Sequence, residues 1–266
     1  MLQLIQKNGL GLLVVPELLD TGVLVAFTGR AGGASKDVFS SLNLSFNVGD
    51  DRNAVEANRS IVQSAVGVPT TRWVVGRQVH GRVIATVGPL EIGRGSQDHE
   101  SGIPRTDGLV TDIPGVALAV LTADCVPVAM VAPGPVVAVV HAGWRGVMAG
   151  VVPVAVRKVA SIAGCSAAEA TAFIGPHIGA CCMEADPAFA GKFSRTFGDS
   201  VLLREEGKKE RIDLDAACRI QLAGVGVSMK NIHSAGICTA CNEGYFSFRA
   251  AGGVCGRQGC LAAIID

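Results

Sequence analysis

The sequence is poor in charged residues and has no excess of either sign. Only 17% of its 266 residues are charged, and 23 Lys plus Arg balance 23 Asp plus Glu. A net charge of zero excludes the basic surface of a protein that binds nucleic acid or anionic membranes in bulk. Because 49% of the residues are hydrophobic, extensive disorder is excluded as well.

Long apolar runs and a dense cysteine framework are also missing. The longest apolar run, 126–140, is interrupted by Pro133-Gly134-Pro135, so it predicts two buried strands and a turn rather than a membrane span. Nine cysteines are too few for a disulfide scaffold, and their odd number leaves at least one unpaired. Lys7, Gly9 and Gly11 interrupt the N-terminal segment, so no secretory signal is predicted and a cytoplasmic location is expected.

The pattern of elements favours an α/β (α+β) fold. Hairpins alternate with crossover connections in the predicted order, which indicates a mixed β-sheet system flanked by helices rather than a Rossmann alternation. Neither a linker nor a repeat is visible, so a single domain over residues 1–266 is predicted. Apolar patterns and turn residues predict a β-rich region over 108–140, an extended segment over 79–87, and helices over 51–66, 147–162, 187–197 and 214–222.

Three residues that could bind a metal are found where predicted strands end. His80 lies in a Gln-Val-His-Gly segment, Cys125 follows an apolar strand, and His141 closes another. Two imidazoles and a thiolate suit zinc, since three protein ligands and an open fourth position are the pattern of catalytic zinc sites. The same residues also fit a purely structural role, in which the two histidines make hydrogen bonds within the protein and the cysteine is buried. A third interpretation is a Cys–His hydrolase with Cys125 as nucleophile, His80 or His141 as base, and Asp124 or a backbone carbonyl as the orienting group.

The remaining cysteines are expected to be structural. Cys238 and Cys241 form a C-x-x-C pair, but no second pair of that spacing completes a four-thiolate site. The adjacent Cys181 and Cys182 are predicted to serve packing. His99 lies in a polar loop and is expected to be solvated. A serine hydrolase or a P-loop enzyme is not indicated, because neither G-x-S-x-G nor a Walker A loop is present.

Taken together, the motifs resemble the YfiH family, also called the laccase-domain or multicopper polyphenol oxidoreductase family. The resemblance covers nearly the whole chain in order, and His141-Ala142-Gly143-Trp144-Arg145-Gly146 is its most specific part. The other matching stretches are Leu42–Ser45, Val48–Asp50, Glu56–Arg59, Gln78–Gly81, Asp107–Thr111, Leu121–Pro127, Ile174–Pro176, Glu184, Ile212–Leu214, Cys238-Thr239, Phe246–Arg249 and Gly256–Gln258.

The resemblance implies a compact mixed α/β sandwich like that of cysteine-hydrolase-like toxin domains, with zinc on His80, Cys125 and His141. It implies a purine nucleoside enzyme that cleaves adenosine, inosine and methylthioadenosine with phosphate and also deaminates adenosine. In that interpretation, zinc lowers the pKa of bound water to about 7. The partners are then purine nucleosides and phosphate, with no nucleic acid and no membrane, and the chain is expected to be a monomer or a weak dimer.

Further residues receive provisional roles in the same interpretation. Asp124 is the candidate for proton transfer. Arg145, Arg59 and Arg249 are the candidate phosphate ligands, with Arg145 first because it lies between glycines. Two more residues, Asn43 and Gln78, are candidates for hydrogen bonds to substrate. The chain departs from the family pattern at Met183, where an aromatic residue is common, and at Ala250, where a second arginine is common.

Other functions stay open at this point. A copper-dependent polyphenol oxidase ranks lower, because the chain has five histidines and no H-x-H pair to hold several coppers, although copper could occupy a single site. Some bacterial relatives are linked to peptidoglycan editing, which suggests a Cys–His amidase that acts without metal. A binding protein without catalytic activity is the third alternative.

Overall fold

The computed structural model describes residues 1–265 as two six-stranded mixed sheets with helices on their outer faces. The strands are β1 (Gln3–Lys7), β2 (Leu10–Val14), β3 (Val23–Thr28), β4 (Trp73–Val75), β5 (Ile84–Thr86), β6 (Gly108–Thr111), β7 (Ala117–Thr122), β8 (Val126–Ala132), β9 (Val136–Ala142), β10 (Thr171–Ile174), β11 (Leu202–Leu203), β12 (Arg211–Ile212), β13 (Ile232–Ser234) and β14 (Gln258–Ile264). The helices are α1 (Pro16–Leu19), α2 (Arg52–Val66), α3 (Trp144–Met148), α4 (Val151–Ala163), α5 (Pro187–Phe197) and α6 (Leu214–Gly224).

Both sheets combine antiparallel and parallel neighbours, as the mixed order of elements predicts. The first sheet has the order β1-β2-β3-β14-β7-β4, and only the β4–β7 pair is parallel. The second sheet has the order β13-β10-β8-β9-β6-β5, with parallel pairs at its two edges. Because β7 belongs to the first sheet and β8 to the second, the loop between them crosses from one sheet to the other at one end of the sandwich.

The core lies between the two sheets and is built from aliphatic side chains. Val25, Phe27 and Leu118 of the first sheet pack in one cluster with Leu109 and Val139 of the second. All five are 2% exposed or less. Burial of alternate strand residues on facing sheets supplies the main stabilising free energy of a sandwich, about 25 cal/mol per Å² of apolar surface.

Helices cover the outward faces of both sheets. Val62 and Val66 of α2 pack on the first sheet beside Trp73, whereas Val152 and Val156 of α4 pack on the second beside Val140. The predicted α/β sandwich flanked by helices is therefore confirmed. Within residues 1–265 no helix combines the length and the apolar composition needed to cross a bilayer.

The best-defined helix begins and ends where its sequence signals predict. The Asp51 carboxylate caps α2 by accepting a hydrogen bond from the Ala54 N–H at 3.0 Å. At the other end Gly67 adopts a left-handed conformation, with φ of 81°. Such a residue ends a helix at little cost when it is glycine, because no Cβ clashes with the preceding carbonyl.

Two predicted elements differ from the structure. The helix predicted over 147–162 is divided in two, because Gly150 takes a left-handed φ of 79° and α4 starts anew after it. The segment predicted to be extended over 79–87 forms a strand only at Ile84–Thr86. The residues before that strand form a loop whose backbone N–H groups bond to a side chain, the Asp107 carboxylate, instead of to a neighbouring strand.

Candidate metal centre and cavity

His80, Cys125 and His141 converge at the end of the sandwich where β7 crosses to β8. Cys125 lies in the crossing loop, His141 is in the last part of β9, and His80 lies in the loop after β4. Since β8 and β9 are antiparallel, with Pro127 opposite His141, the start of one strand is beside the end of the other. This pairing brings Cys125 next to His141.

The three side chains are close enough to bind one ion. One ligand atom from each lies within 4.8 Å of the other two. The two imidazoles meet edge to face, with ring centroids 4.7 Å apart. His141 is buried, Cys125 is half-buried and His80 is exposed, so the group opens to solvent on the His80 side. Nitrogen and sulfur donors that can contact a single ion from three directions, with one side open, fit a catalytic zinc site.

Asp107 fixes the positions of His80 and His141. The carboxylate is fully buried immediately before β6, and its Oδ1 lies 2.9 Å from Nδ1 of His141. It also accepts hydrogen bonds from the backbone N–H groups of Val79, His80 and Gly81. Because Nδ1 of His141 is engaged, Nε2 is the nitrogen left for a ligand, and a carboxylate behind a ligating imidazole fixes its tautomer and orientation.

The charges of the site stabilise one another. Burial alone would raise the pKa of the Cys125 thiol, but the adjacent imidazolium of His141 and hydrogen bonds from both histidines lower that pKa to about 6. Burial would likewise lower the pKa of His141, but the Cys125 thiolate and the Asp107 carboxylate raise it to about 9. The metal-free site is therefore expected to hold a thiolate–imidazolium pair at neutral pH.

The local backbone is shaped to fit these side chains. A Cβ atom on Gly143 would lie 2.7 Å from Cδ2 of His80 and 3.0 Å from Sγ of Cys125, so only glycine leaves room for the group. His80 and Asp124 have positive φ values of 58° and 85°, a region that costs non-glycine residues free energy. Such strained residues cluster at functional sites, where surrounding contacts hold them.

Asp124 lies in the wall of the site with both carboxylate oxygens occupied. Oδ1 accepts a hydrogen bond from the Thr239 hydroxyl and Oδ2 accepts one from the backbone N–H of Arg249, each at 2.7 Å. The carboxylate thus links the Cys125 loop to two later loops. This arrangement supports a positioning role more directly than the predicted proton transfer, which stays a prediction.

A cavity of about 540 Å³ opens beside the three residues. His80, Cys125 and His141 all lie in its wall. Phe46 and Phe248 give the wall aromatic surface, and the size falls within the range of small-molecule sites. Thr122 also lines the cavity, and its buried hydroxyl has no hydrogen-bond partner in the part of the chain that the structure describes.

The three predicted phosphate ligands line the cavity but differ in what their guanidinium groups contact. Arg59 is buried and donates to the carbonyls of Leu44, Gly95 and Ser96, and burial lowers its pKa to about 9. Arg249 donates to the carbonyl of Cys182 at 3.3 Å. Arg59 thus holds loops together, whereas the exposed Arg249 makes a single long hydrogen bond of this kind to a carbonyl.

Arg145 is the available cation of the three. Its guanidinium lies over the Trp144 ring, 4.6 Å from the centroid, and it has no carboxylate within 4.0 Å among residues 1–265. The side chain is exposed and lines the cavity. It is thus the cation best placed to bind an anion near the metal-binding residues.

The two predicted substrate-binding amides are engaged with protein groups. Gln78 lines the cavity, but its amide exchanges two 2.8 Å hydrogen bonds with the backbone of Leu121. Asn43 is fully buried and bonds to Ser45, Asp50 and the Arg257 N–H. Asn43 does not line the cavity among residues 1–265. Both amides hold together the loops that surround the cavity.

Several residues of the site were not found from the sequence. Asp107 and Gly143 carry no recognisable ligand pattern, although both lie in the quoted family motifs. His99 was expected to be solvated but is half-buried in the cavity wall. Met183, one of the departures from the family pattern, also lines the cavity, and its sulfur lies 3.8 Å from Nη2 of Arg249.

Comparison with known proteins supplies the family. Residues 24–265 match the family model described as multi-copper polyphenol oxidoreductase laccase. Purine nucleoside phosphorylase YlmD of Geobacillus stearothermophilus is 37% identical over 242 residues, which cover 89% of this chain and 88% of that protein. Purine nucleoside phosphorylase SCO2081 of Streptomyces coelicolor is 36% identical over 230 residues, covering 86% and 90%.

A solved structure agrees with this relationship. The crystal structure of the hypothetical protein YfiH from Bacillus licheniformis superposes with a TM-score of 0.90 at 30% identity, covering 95% of this chain and 96% of that one. Both the fold and the sequence are thus shared over almost the full length. The chain therefore belongs to the multi-copper polyphenol oxidoreductase laccase family, the family that its motifs resemble.

Proposed function

We propose that this protein is a metal-dependent purine nucleoside phosphorylase that converts adenosine, inosine or methylthioadenosine and phosphate into the free base and a sugar phosphate, which is ribose 1-phosphate or, from methylthioadenosine, 5-methylthioribose 1-phosphate. The observation that carries the proposal is the convergence of His80, Cys125 and His141 in the wall of a nucleoside-sized cavity that also contains Arg145. The curated relatives named purine nucleoside phosphorylase support the same reaction class.

Two histidine nitrogens and one cysteine sulfur are ligands that fit zinc. Cys125, whose thiol pKa is lowered to about 6, offers a thiolate, and the two imidazoles offer nitrogen donors once zinc displaces the proton of His141, whose pKa is raised to about 9. Asp107 supports the set by orienting His141 through Nδ1. A zinc ion held there would supply a Lewis acid that lowers the pKa of a water molecule to about 7.

Arg145 is proposed to bind the attacking phosphate. In phosphorolysis a phosphate oxygen forms the new bond to C1′ of the ribose while the bond from C1′ to the base nitrogen breaks, and the electron pair leaves with the base. A guanidinium can hold phosphate by two parallel hydrogen bonds, which fixes the oxygen near C1′. Among residues 1–265 the Arg145 guanidinium has no carboxylate partner and lies over the Trp144 ring, whereas Arg59 is buried and donates to loop carbonyls.

The cavity wall is proposed to hold the base. Phe46 and Phe248 offer aromatic surface on which a purine can stack, and the Thr122 hydroxyl offers a hydrogen bond. We also propose that adenosine is deaminated at this centre, with water replacing the amino group at C6 to give inosine and ammonia. The two reactions are distinguished by phosphate, since only the first consumes it.

Product analysis tests the proposal. Zinc-loaded protein is incubated with adenosine, with and without phosphate, beside a His141→Ala variant. Adenine that forms only with phosphate supports phosphorolysis, and inosine that forms without phosphate supports deamination. Both products must be lost in the variant. Absence of both products from zinc-loaded wild type would contradict the assignment for adenosine.

A second candidate function is favoured by one observation. Asp107, His141 and Cys125 are arranged like a carboxylate–imidazole–thiol relay, with the carboxylate 2.9 Å from the imidazole nitrogen. That arrangement suits a cysteine amidase, in which the thiolate attacks an amide carbonyl, His141 protonates the leaving amine, and water then hydrolyses the thioester to release the acid and regenerate the thiol. Peptidoglycan precursors are the substrate class considered for such an enzyme.

Metal dependence separates the two candidates. An amidase would be active after removal of metal and would be inactivated by alkylation of Cys125. A metal-dependent phosphorylase would lose activity on metal removal and regain it when zinc is restored. Release of amine from peptidoglycan precursors by metal-free protein would therefore favour the amidase over the phosphorylase.

A further inference from the structure

Four further cysteines come together on the surface, although the sequence predicts packing for two of them and a structural pair for the other two. Cys181 and Cys182 lie in the loop after β10, and Cys238 and Cys241 lie in the loop after β13. β10 and β13 are parallel neighbours, so their carboxyl ends meet at the same edge of the second sheet. A bridge between His177 and Cys238 continues this parallel pairing beyond the strands.

The thiol sulfurs of this four-cysteine cluster are at distances that suit one metal ion. All four lie within 4.8 Å of one another. Sγ of Cys241 is 3.5 Å from Sγ of Cys181 and 3.2 Å from Sγ of Cys182. Four sulfurs bound to zinc at about 2.3 Å would be separated by about 3.8 Å in a tetrahedron. The 3.5 and 3.2 Å contacts are shorter than that value, so these sulfurs would move apart by about 0.3–0.6 Å to bind one ion.

Two simpler explanations fit less well. A disulfide needs sulfurs about 2.05 Å apart, and the closest measured pair is much farther apart. Hydrophobic packing does not account for the cluster either, because Cys181 and Cys241 are exposed while Cys182 and Cys238 are only half-buried. Free cysteines kept for packing are among the most buried residues of a protein.

Surrounding groups complement a cluster of thiolates. The backbone N–H of Gly179 donates to Sγ of Cys238 at 3.2 Å, a bond that stabilises a ligating sulfur. Two guanidinium groups approach from outside: Arg211 donates to the carbonyl of Cys181, and Arg249 donates to that of Cys182. A zinc ion with four thiolates carries two net negative charges; Arg249 would offset part of this charge, whereas Arg211 is already paired with Glu205.

We propose that Cys181, Cys182, Cys238 and Cys241 form a second metal site, which holds one zinc ion with four thiolates and is separate from the His80–Cys125–His141 centre. Its function is structural. All four positions are occupied by protein ligands, which is the pattern of closed structural zinc sites. The ion would join the loop after β10 to the loop after β13.

The joined loops shape the cavity of the candidate active centre. Thr239, between two of the cysteines, donates to the Asp124 carboxylate, which lies next to Cys125 in the chain. Met183 follows Cys182 and lines the cavity. Loss of the ion is therefore expected to increase hydrogen exchange in the loops 178–183 and 237–242, where the metal would otherwise fix the backbone.

Metal analysis tests the proposal. Wild-type protein purified under reducing conditions, stripped of metal and dialysed against zinc should bind about two zinc ions per chain. The triple variant His80→Ala, Cys125→Ser, His141→Ala should keep about one, and its X-ray absorption spectrum should show about four sulfurs at about 2.3 Å. The double variant Cys181→Ser, Cys241→Ser should also keep about one. Cys165→Ser is the matched control, because Cys165 is half-buried and outside both groups.

Two results would overturn the proposal. One is a single zinc ion per wild-type chain that disappears in the triple variant and remains in the double variant. The other is a disulfide that joins two of these four cysteines and survives the reducing purification, found by peptide mapping, because oxidised cysteines cannot bind zinc. If the double variant does not fold, wild-type protein still decides the question. Its zinc must show about 2.5 sulfurs per ion when both sites are filled, but only one when the His/Cys/His site alone is filled.

Discussion

Oδ1 of Asp107 lies 2.9 Å from Nδ1 of His141, and the same buried carboxylate accepts the backbone N–H of His80. One residue thereby sets both the ring orientation of one histidine and the loop conformation of the other. Four hydrogen-bond donors surround the carboxylate, which keeps its pKa lowered although burial opposes this. The geometry of the three candidate metal ligands thus depends on a side chain that is not one of them.

Replacing Asp107 by Asn should weaken metal binding more than it destabilises the fold. The amide preserves the shape but no longer supplies the charge that selects the His141 tautomer. Loss of such a supporting group weakens metal affinity by about 10- to 100-fold. Competition with a chromogenic chelator measures this affinity. Asp112→Asn, an exposed position just after β6, is the matched control and should bind zinc like wild type. Equal affinity in the two variants would contradict the role of Asp107.

Replacing Gly143 by Ala should disturb the centre through crowding alone. The backbone φ of −66° suits alanine, so the cost comes from a Cβ only 2.7 Å from Cδ2 of His80. Overpacking of this kind costs about 1–3 kcal/mol, which corresponds to zinc affinity weaker by about 5- to 150-fold. Gly224→Ala, at a position with open space, should be neutral in the same titration. Unchanged zinc affinity of the Gly143 variant would contradict the close packing of Gly143 against His80 and Cys125.

In metal-free protein, Cys125 should be alkylated by iodoacetamide with a midpoint near pH 6. Its thiol pKa is lowered to about 6 by the His141 imidazolium and by hydrogen bonds, so the reactive thiolate persists above that pH and is lost as pH falls through it. Mass spectrometry of the separate peptides resolves each cysteine. Cys165, whose pKa is raised by burial and by Glu169, provides the internal comparison and should react only in alkali.

The His141→Ala variant checks the cause of this reactivity. Without the imidazolium, the Cys125 midpoint should move upward toward the ordinary value of 9.0. A wild-type midpoint already near that value, or an unchanged midpoint in the variant, would contradict the proposed thiolate–imidazolium pair.

Replacing Arg145 by Ala should raise the KM for phosphate and leave the KM for adenosine almost unchanged. Charge-assisted hydrogen bonds to phosphate contribute about 1.5–3 kcal/mol, so a 10- to 100-fold increase, to order of magnitude, is expected. Initial rates at varied phosphate measure it. Arg157→Ala, an exposed cation on α4 outside the cavity wall, controls for the change in net charge. An equal rise in the KM for phosphate and the KM for adenosine would contradict a specific role of Arg145 in binding phosphate.

The three candidate metal ligands could be named from the sequence because strand ends are visible there and because the motifs around them resemble the family. His141 and Cys125 border long apolar strands, and the antiparallel pairing of those strands was predictable from the short turn between them. Asp107 could not be assigned in this way. An acidic residue before a strand is common, and only the fold shows that its carboxylate faces His141.

The four-cysteine cluster was missed because its two halves are distant in sequence. Cys181-Cys182 lacks the usual spacing of a metal-binding pair, and Cys238 and Cys241 alone supply only two ligands. Their approach depends on the parallel pairing of β10 with β13, two short strands separated by two helices. Pairing between parallel strands that are far apart in the chain leaves no local sequence pattern, so the sequence does not show that the two cysteine loops meet.

Restoration of phosphorolysis by zinc tests the central claim most directly. Protein is stripped with a chelator and assayed with adenosine and phosphate, then zinc is added back and adenine and ribose 1-phosphate are quantified. The account predicts negligible product before zinc and equal amounts of the two products after it, with no recovery in His80→Ala or Cys125→Ser. Full activity in stripped protein, or no activity after zinc is bound, would contradict it.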